Sequence, residues 1–426
     1  MRRPTDAPFP FPVPIKALPK MARAHVTFPR PRISDVPAAV RRELETLPLP
    51  PLRGRRVAVT AGSRGIRDIV PILAATVAWV RGHGGDPVLV AAMGSHGGGT
   101  EEGQRRLLAH LGITAESVGA PLMTSMDTVE LGRTPRGLIA HCDRNAAACD
   151  GILVVNRVKP HTAFADPFGS GLLKMIAVGL GKAPAAAQIH RKGPAEMGAA
   201  IDAIAGVVIA TGKIYGGLAI VENAYDETAA VAAVPPESLR DRERVLFADA
   251  RRLMPSLPVE SLDLLIVDEI GKNFSGTGMD VNVIGRWRLP GMAEPAAPHV
   301  QRIVALRLSA ESEGNAQGVG LADVVTRRLV DAIDPVATYV NTLVSTYVQR
   351  AFVPVTMPSE HDAIAAALAS LDLPDPAATR AMRIANTLHL EDCWVSESLI
   401  PELQNRPEVA VDRPEPMAFT DDGNLQ

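Results

Sequence analysis

The sequence predicts an α/β protein: two α/β domains with mostly parallel sheets and an active site in the interdomain cleft. Three observations lead there. A chain of 426 residues, at about 150 residues per domain, is long enough for two or three cores. Hydrophobic residues make up 46% and charged residues 21%, the balance of a globular chain rather than a disordered one. From Arg55 onward, short apolar runs alternate with stretches of helical spacing, which is how a parallel sheet covered by helices on both faces reads in sequence.

Taken in order, residues 1–54 read as a Pro-rich lead-in. Its stretch 8–19 has neither the apolar core nor the small-residue cleavage pattern of a signal peptide, and no window of about eighteen apolar residues exists to span a membrane. A cytoplasmic protein is expected. The N-terminal cofactor-binding catalytic domain is expected over 55–258. Residues 57–60 are a β-branched run. Ile69, Ile72, Leu73, Val77 and Val80 then recur at helical spacing until Gly82, Gly84 and Gly85 end the segment. A second buried strand falls at 87–92 and is followed by a helix from Glu101. Strands at 151–155 and 217–221 enclose a helix over 195–211. The stretch 235–258, bounded by prolines and carrying a charged helix over 237–252, reads as the linker.

The C-terminal α/β domain is expected over 259–400, with strands at 262–267, 302–308 and 337–344 and helices at 322–332 and 360–371. Residues 401–426, rich in Pro, Asp and Asn, read as a tail that is mobile or straps back to the first domain.

Composition excludes whole classes of partner. Forty-four Lys and Arg against forty-seven Asp and Glu leave a formal charge of −3, so no basic field holds nucleic acid or an anionic membrane surface. Aromatic residues, at 4%, offer little for base or sugar stacking. Cys142, Cys149 and Cys393 are an odd set without CxxC spacing, which fits a reducing compartment and no disulfide framework or zinc site. The ten histidines become the residues to follow.

Three polar loops leave the carboxyl ends of predicted strands, the edge where open parallel sheets bind ligands. The first is Ala61-Gly62-Ser63-Arg64-Gly65. The second is Met93-Gly94-Ser95-His96-Gly97-Gly98-Gly99-Thr100, and the third is Asn156-Arg157-Val158-Lys159-Pro160-His161-Thr162. The glycines of the second loop invite a phosphate cradle, but Glu101 and Glu102 at the first helical positions already complement the helix dipole and repel an anion. His96 and His161 on two such loops make an acid/base pair able to work on opposite faces of one substrate. Arg64 supplies a planar fork for a carboxylate. Lys174, among Leu172, Leu173, Met175 and Ile176, is either a snorkelling or a desolvated, nucleophilic lysine; His190 follows it by 190 − 174 = 16 residues.

These residues resemble the nickel-pincer lactate racemase family, the nickel-dependent 2-hydroxyacid racemases and epimerases. The resemblance covers most of residues 55–225 by motif: Gly94-Ser95-His96 with its following Thr-Glu-Glu, His161 ahead of Lys174, Arg64 in a turn that lacks the family's aspartate, and the Lys174/His190 spacing. Gly171-Leu172-Leu173-Lys174 stands where the family has Gly-Gly-Arg-Lys. The resemblance implies a nickel-pincer nucleotide (pyridinium-3,5-bisthiocarboxylic acid mononucleotide nickel) joined to Lys174 through a thioamide, with His190 as the metal's protein ligand. It implies catalysis by His96 and His161, substrate binding by Arg64, and further contacts from Lys272 and Arg286 on a polar loop of the second domain. The implied partners are a small 2-hydroxy acid and the cofactor-biosynthesis proteins. Two other readings stand beside it: a 2-hydroxyacid dehydrogenase, for which no GxGxxG follows Val59, and a protein that holds the nickel cofactor without turnover.

Overall fold

The computed structural model describes residues 18–162, 169–373, 375 and 378–426; most of the Pro-rich stretch 8–19 lies outside them. The chain divides into a central unit, Pro29–Met254, and a terminal unit made of the residues before and after it.

The central unit is built on a six-stranded sheet in the order Leu122–Met123, Asp86–Ala91, Arg56–Ala61, Gly151–Arg157, Ile214–Glu222, Thr228–Val234. Only the last pair is antiparallel. Its strands are buried on both faces, so Val57, Val59, Leu89, Leu153 and Ile220 read as continuous apolar runs. The helix Ile69–Gly82 seals one face with Ile72, Leu73, Val77 and Val80. An antiparallel ribbon, Thr128–Arg133 with Ile139–Asp143, stands apart from the main sheet.

The expected linker is a packed helix instead. Leu239–Leu253 buries Leu239, Glu243, Leu246, Ala250 and Leu253, a stripe at alternating four- and three-residue steps, against the segment Leu172–Lys174 and the strand Ile214–Glu222.

The terminal unit carries an eight-stranded sheet in the order Val355–Met357, Val324–Thr326, His299–Leu308, Ser261–Ile270, Ala381–Ile384, Asp392–Ser396, Met21–Val26, Val409–Val411. The first five strands are parallel and the last three antiparallel. The α/β class with mostly parallel sheets is therefore borne out, while several elements differ from expectation. The lead-in contributes the strand Met21–Val26 and the helix Val36–Leu44. Residues 337–344 belong to a helix, Pro335–Ser345, and 322–332 hold the strand Val324–Thr326 followed by the short helix Arg327–Asp331. The tail is strapped within its own unit: Met21 bridges Glu415, the His361 amide donates to the Gly423 carbonyl at 2.9 Å, and the Leu425 amide donates to Glu360 at 2.8 Å.

Candidate active site

The strand Arg56–Ala61 lies where the strand order of the central sheet reverses, with Asp86–Ala91 on one side and Gly151–Arg157 on the other. The connections leaving such a switch point part to opposite faces and open a crevice at the carboxyl edge. Loops 61–65 and 156–162 flank it. A Cβ at Gly62 would stand 3.1 Å from Met175 Cε and 3.7 Å from Asn156 Oδ1, and Asn156 Nδ2 donates to the Gly171 carbonyl at 2.8 Å. The first loop thus lies against the segment that carries Lys174.

His96 is exposed, and its Nδ1 hydrogen-bonds the Ser63 hydroxyl of the neighbouring loop. The His96 loop is held from beneath. Thr100 caps the helix Glu101–His110 by accepting from the Gly103 amide at 3.0 Å. Gln104 Nε2 donates to the carbonyls of Gly94 at 3.0 Å and His96 at 3.4 Å. The Gln104 carbonyl accepts from Lys182 Nζ at 3.1 Å. Lys182 is fully buried, donates to the Ala91 carbonyl and lies 3.2 Å from the equally buried Asp143 carboxylate. Burial lowers its pKa and Asp143 opposes that. Glu101 and Glu102 are each 3.0 Å from Arg105 at the start of the helix, so this loop presents carboxylates rather than a phosphate cradle.

Lys174 ends the short helix Leu172–Lys174, runs into a π-helical turn, Met175–Gly179, and the chain then bends by 108° into the helix Lys182–His190. Lys182 takes a positive φ of 55° at the bend. A π turn adds a residue to the helical ladder and is a frequent marker of functional sites. It is tucked under the His96 loop: the Gly94 amide donates to the Gly179 carbonyl at 3.1 Å, and a Cβ at Gly179 would meet Met175 Sδ at 2.5 Å and the Ala92 carbonyl at 2.7 Å. This apolar bent pair lies largely inside the central unit, and no single helix among the described residues is long and apolar enough to cross a membrane.

The bend sets Lys174 and His190 within each other's electrostatic reach. Burial first, then the Arg64 and Lys159 cations, lower the Lys174 pKa to about 7. Burial first, then Lys174, lower that of His190, and its Nδ1 is buried without a hydrogen-bond partner. Arg64 remains exposed to solvent while the surrounding loops crowd its guanidinium, whose pKa falls through burial and then through Arg157. An amine and an imidazole of lowered pKa, the latter with an unpartnered nitrogen, and a guanidinium fork thus lie within each other's electrostatic reach. Among the described residues no group of three or more His, Cys, Asp or Glu could hold a metal. His190 fits an ion that draws its other donors from an organic group, since a neutral imidazole is the metal-binding form.

The sequence reading overlooked the supports. Glu243 lies beneath Leu172–Lys174: its Oε2 accepts from the Leu173 amide at 3.0 Å, and its Oε1 is buried without a partner. Burial raises its pKa to about 8 against the Leu173 and Leu172 amides. A Cβ at Gly171 would fall 2.4 Å from that Oε1. One signal existed, a Glu at a core position of the apolar stripe 239, 243, 246, 250, 253. Lys182, Gln104 and Ser63 had no comparable signal.

The remaining expected site residues fall differently. His161 is half-buried at the end of a described stretch, past the Lys159–Ser170 bridge. Lys272 Nζ donates to the Gly276 carbonyl at 2.6 Å and to Asn341 Oδ1 at 2.7 Å. Arg286 is buried and donates to Asp323 at 2.6 Å and to the carbonyls of Leu321, Val300 and Gln301. Both, expected as substrate contacts, are engaged by their own terminal unit. A cavity of about 560 Å³ also opens in that unit beside Arg23, Arg383 and Trp394, lined by none of the loops above.

Fold and site together define an α/β protein with a lysine and a histidine of lowered pKa near the switch point of a mostly parallel sheet. No family model and no curated protein matches the chain. Its fold is similar to that of the lactate racemase apoprotein from Thermoanaerobacterium thermosaccharolyticum, with a TM-score of 0.53 and 12% identity over 89% of this chain and 96% of that one. A Thermotoga maritima protein from a structural-genomics programme aligns with a TM-score of 0.46 and 13% identity, over 66% of this chain and 72% of that one.

Proposed function

We propose that the protein is a racemase or epimerase of a 2-hydroxy acid that carries a nickel-pincer nucleotide on Lys174. The observation that carries this reading is the joint state of Lys174 and His190: a lysine amine lowered to about 7 among other cations, next to a histidine whose Nδ1 has no partner. The likeness of fold to a lactate racemase apoprotein supports it. Bound there, the cofactor would supply a reversible acceptor for the substrate's α-hydrogen, which as a proton is too weakly acidic to be removed directly.

The chain's own residues do the rest. Lys174, partly deprotonated near neutral pH, is the residue that would hold the cofactor covalently, and His190, with its unpartnered Nδ1, is the one that would ligate its metal. Arg64 grips the substrate carboxylate through two N–H donors. His96, oriented through its Nδ1 by Ser63, is assigned the hydroxyl proton on one face of the substrate and His161 the same duty on the other. Lys272 and Arg286 are left out of this scheme because internal acceptors already hold their charged ends.

The test is intact mass after co-expression with the cofactor-making enzymes. A covalent adduct is expected in the native chain and absent from Lys174→Ala; an unmodified native chain under those conditions removes the assignment. With the adduct in hand, single-enantiomer 2-hydroxy acids are followed by optical rotation. His96→Ala and His161→Ala should each lose at least 10²-fold in turnover, and full activity in either variant defeats the two-histidine scheme.

A further inference from the structure

The helix Pro335–Ser345 is packed inside out. It buries Thr338 and Thr342, whereas Val336, Tyr339, Val340, Leu343 and Val344 face solvent, Val336 and Leu343 with 71% and 70% of their surface open. The buried side is tied down by polar groups. The Thr338 hydroxyl accepts from the Ala316 amide at 3.0 Å and donates to the Gly314 carbonyl at 3.2 Å. Thr342 donates to the Thr338 carbonyl at 2.8 Å, and Asn341 accepts from Lys272 and from Asn315. Turning the helix to bury its apolar side would strand these groups, so the orientation is fixed by hydrogen bonding.

The exposed apolar surface continues past the helix through Val348, Phe352 and Val353 to Val355, the first residue of the strand that ends the eight-stranded sheet. These side chains expose on the order of 900 Å², above the roughly 300–600 Å² of the largest patch on a typical monomer and close to the ~800 Å² each partner contributes to a standard stable interface. Charge narrows the occupant. Between residues 335 and 355 the only charged side chain is Arg350, which is buried and donates to the Trp287 carbonyl. An acidic or basic partner would find nothing to pair with. The surface is largely apolar, broken by Thr346 and Gln349, and ends at a sheet edge, so a second copy about a two-fold axis can cover it apolar face to apolar face.

We propose that this face is the interface of a homodimer, in which the helix Pro335–Ser345 and the edge strand Val355–Met357 of one copy meet the same elements of a second copy. The inference is independent of the activity proposed above. Sedimentation velocity on the full chain, from about 1 to 100 μM, should give about 90 kDa, twice the 45.1 kDa of one chain. Leu343→Asp should raise the dissociation midpoint at least tenfold. Because Leu343 lies on the surface, its replacement leaves the core intact, and unchanged circular dichroism checks this. Hydrogen exchange at amides 336–355 provides a second measure, slowing above the dimer midpoint and recovering below it. A 45.1 kDa species at every concentration overturns the proposal, as does a dimer that Leu343→Asp leaves intact with 336–355 unprotected. A monomer that instead binds neutral phospholipid vesicles assigns the face to a lipid surface and equally overturns it.

Discussion

At the residue scale, the candidate site rests on buried polar groups that hold reactive ones. Lys182 and Asp143 are both fully buried; such a pair is a weak source of stability, but removing one partner leaves an uncompensated charge and costs about 3–5 kcal/mol. Its positional effect is more specific, because Lys182 holds Gln104 and Gln104 holds the carbonyls on either side of the His96 turn. Glu243 does the same for Lys174. Its carboxyl pKa is raised to about 8 from an ordinary 4.5, so the native state favours the protonated form more than the unfolded chain does. The associated stability is therefore complete below about pH 4.5 and is lost as pH rises through 8, each pH unit crossed between those two values removing about 1.4 kcal/mol. Glu243→Gln keeps an acceptor for the Leu173 amide and cannot ionise. Urea unfolding should show the variant less sensitive than the native chain to pH between about 5 and 8, and more stable above 8. Identical pH slopes for the two proteins would contradict the assignment. The candidate residues Lys174, His190, His96 and Arg64 could be named from sequence because they stand in recognisable motifs. Their supports were not, since Lys182 and Gln104 acquire meaning only through contacts 78 residues apart in sequence.

At the scale of elements, apolar periodicity located four of the six strands of the central sheet and the helices read beside them to within a few residues, because each buries an apolar face there, and missed Leu122–Met123 and Thr228–Val234. It failed where that premise failed. Residues 337–344 are rich in β-branched and apolar side chains and so read as a strand. The chain forms a helix because Asp334 accepts from the amides of Val336 and Ala337 at 2.7 and 3.1 Å, Pro335 sits at the first helical position, and two threonines provide the inward face. The His96 loop shows the opposite case, in which a glycine outside any obvious motif decides the geometry. A Cβ on Gly103 would come within 1.8 Å of the Gly97 carbonyl oxygen, so loop and helix can meet only with glycine there. Gly103→Ala should lift the loop, cost about 1–3 kcal/mol and break the Ser63–His96 hydrogen bond. The readouts are the denaturation midpoint and the rate of His96 modification by diethyl pyrocarbonate, which should rise. A variant unchanged in both would show that the loop does not depend on this contact.

At the scale of the whole molecule, the central unit is inserted into the terminal one, and the chain passes between them near Phe28 and again near Met254. The second crossing was visible as a Pro-rich stretch. The first was not, because a six-residue strand with Ala at two of its buried positions carries a weak alternating signal and its partners lie more than 360 residues away. Yet Met21–Val26 pairs on both sides, with Asp392–Ser396 and with Val409–Val411, and Met21 exchanges backbone hydrogen bonds of 2.8 and 2.9 Å with Glu415. A chain beginning at Pro29 would leave one of these strands without any partner and turn the other into a bare edge. The segment 408–415 of the C-terminal strap would then lose its ladder to Met21, Arg23 and Thr27, leaving its far end tied at Gly423 and Leu425. Limited digestion with a glutamate-specific protease should cut that shortened chain rapidly after Glu408, whose carbonyl accepts from the Thr27 amide at 2.8 Å in the full chain, while the same bond in the full chain resists and fragments of the central unit persist in both. Equal cleavage in the two chains would mean that the antiparallel end of the sheet holds without its N-terminal strand, and that the first crossing contributes nothing to the fold of the terminal unit.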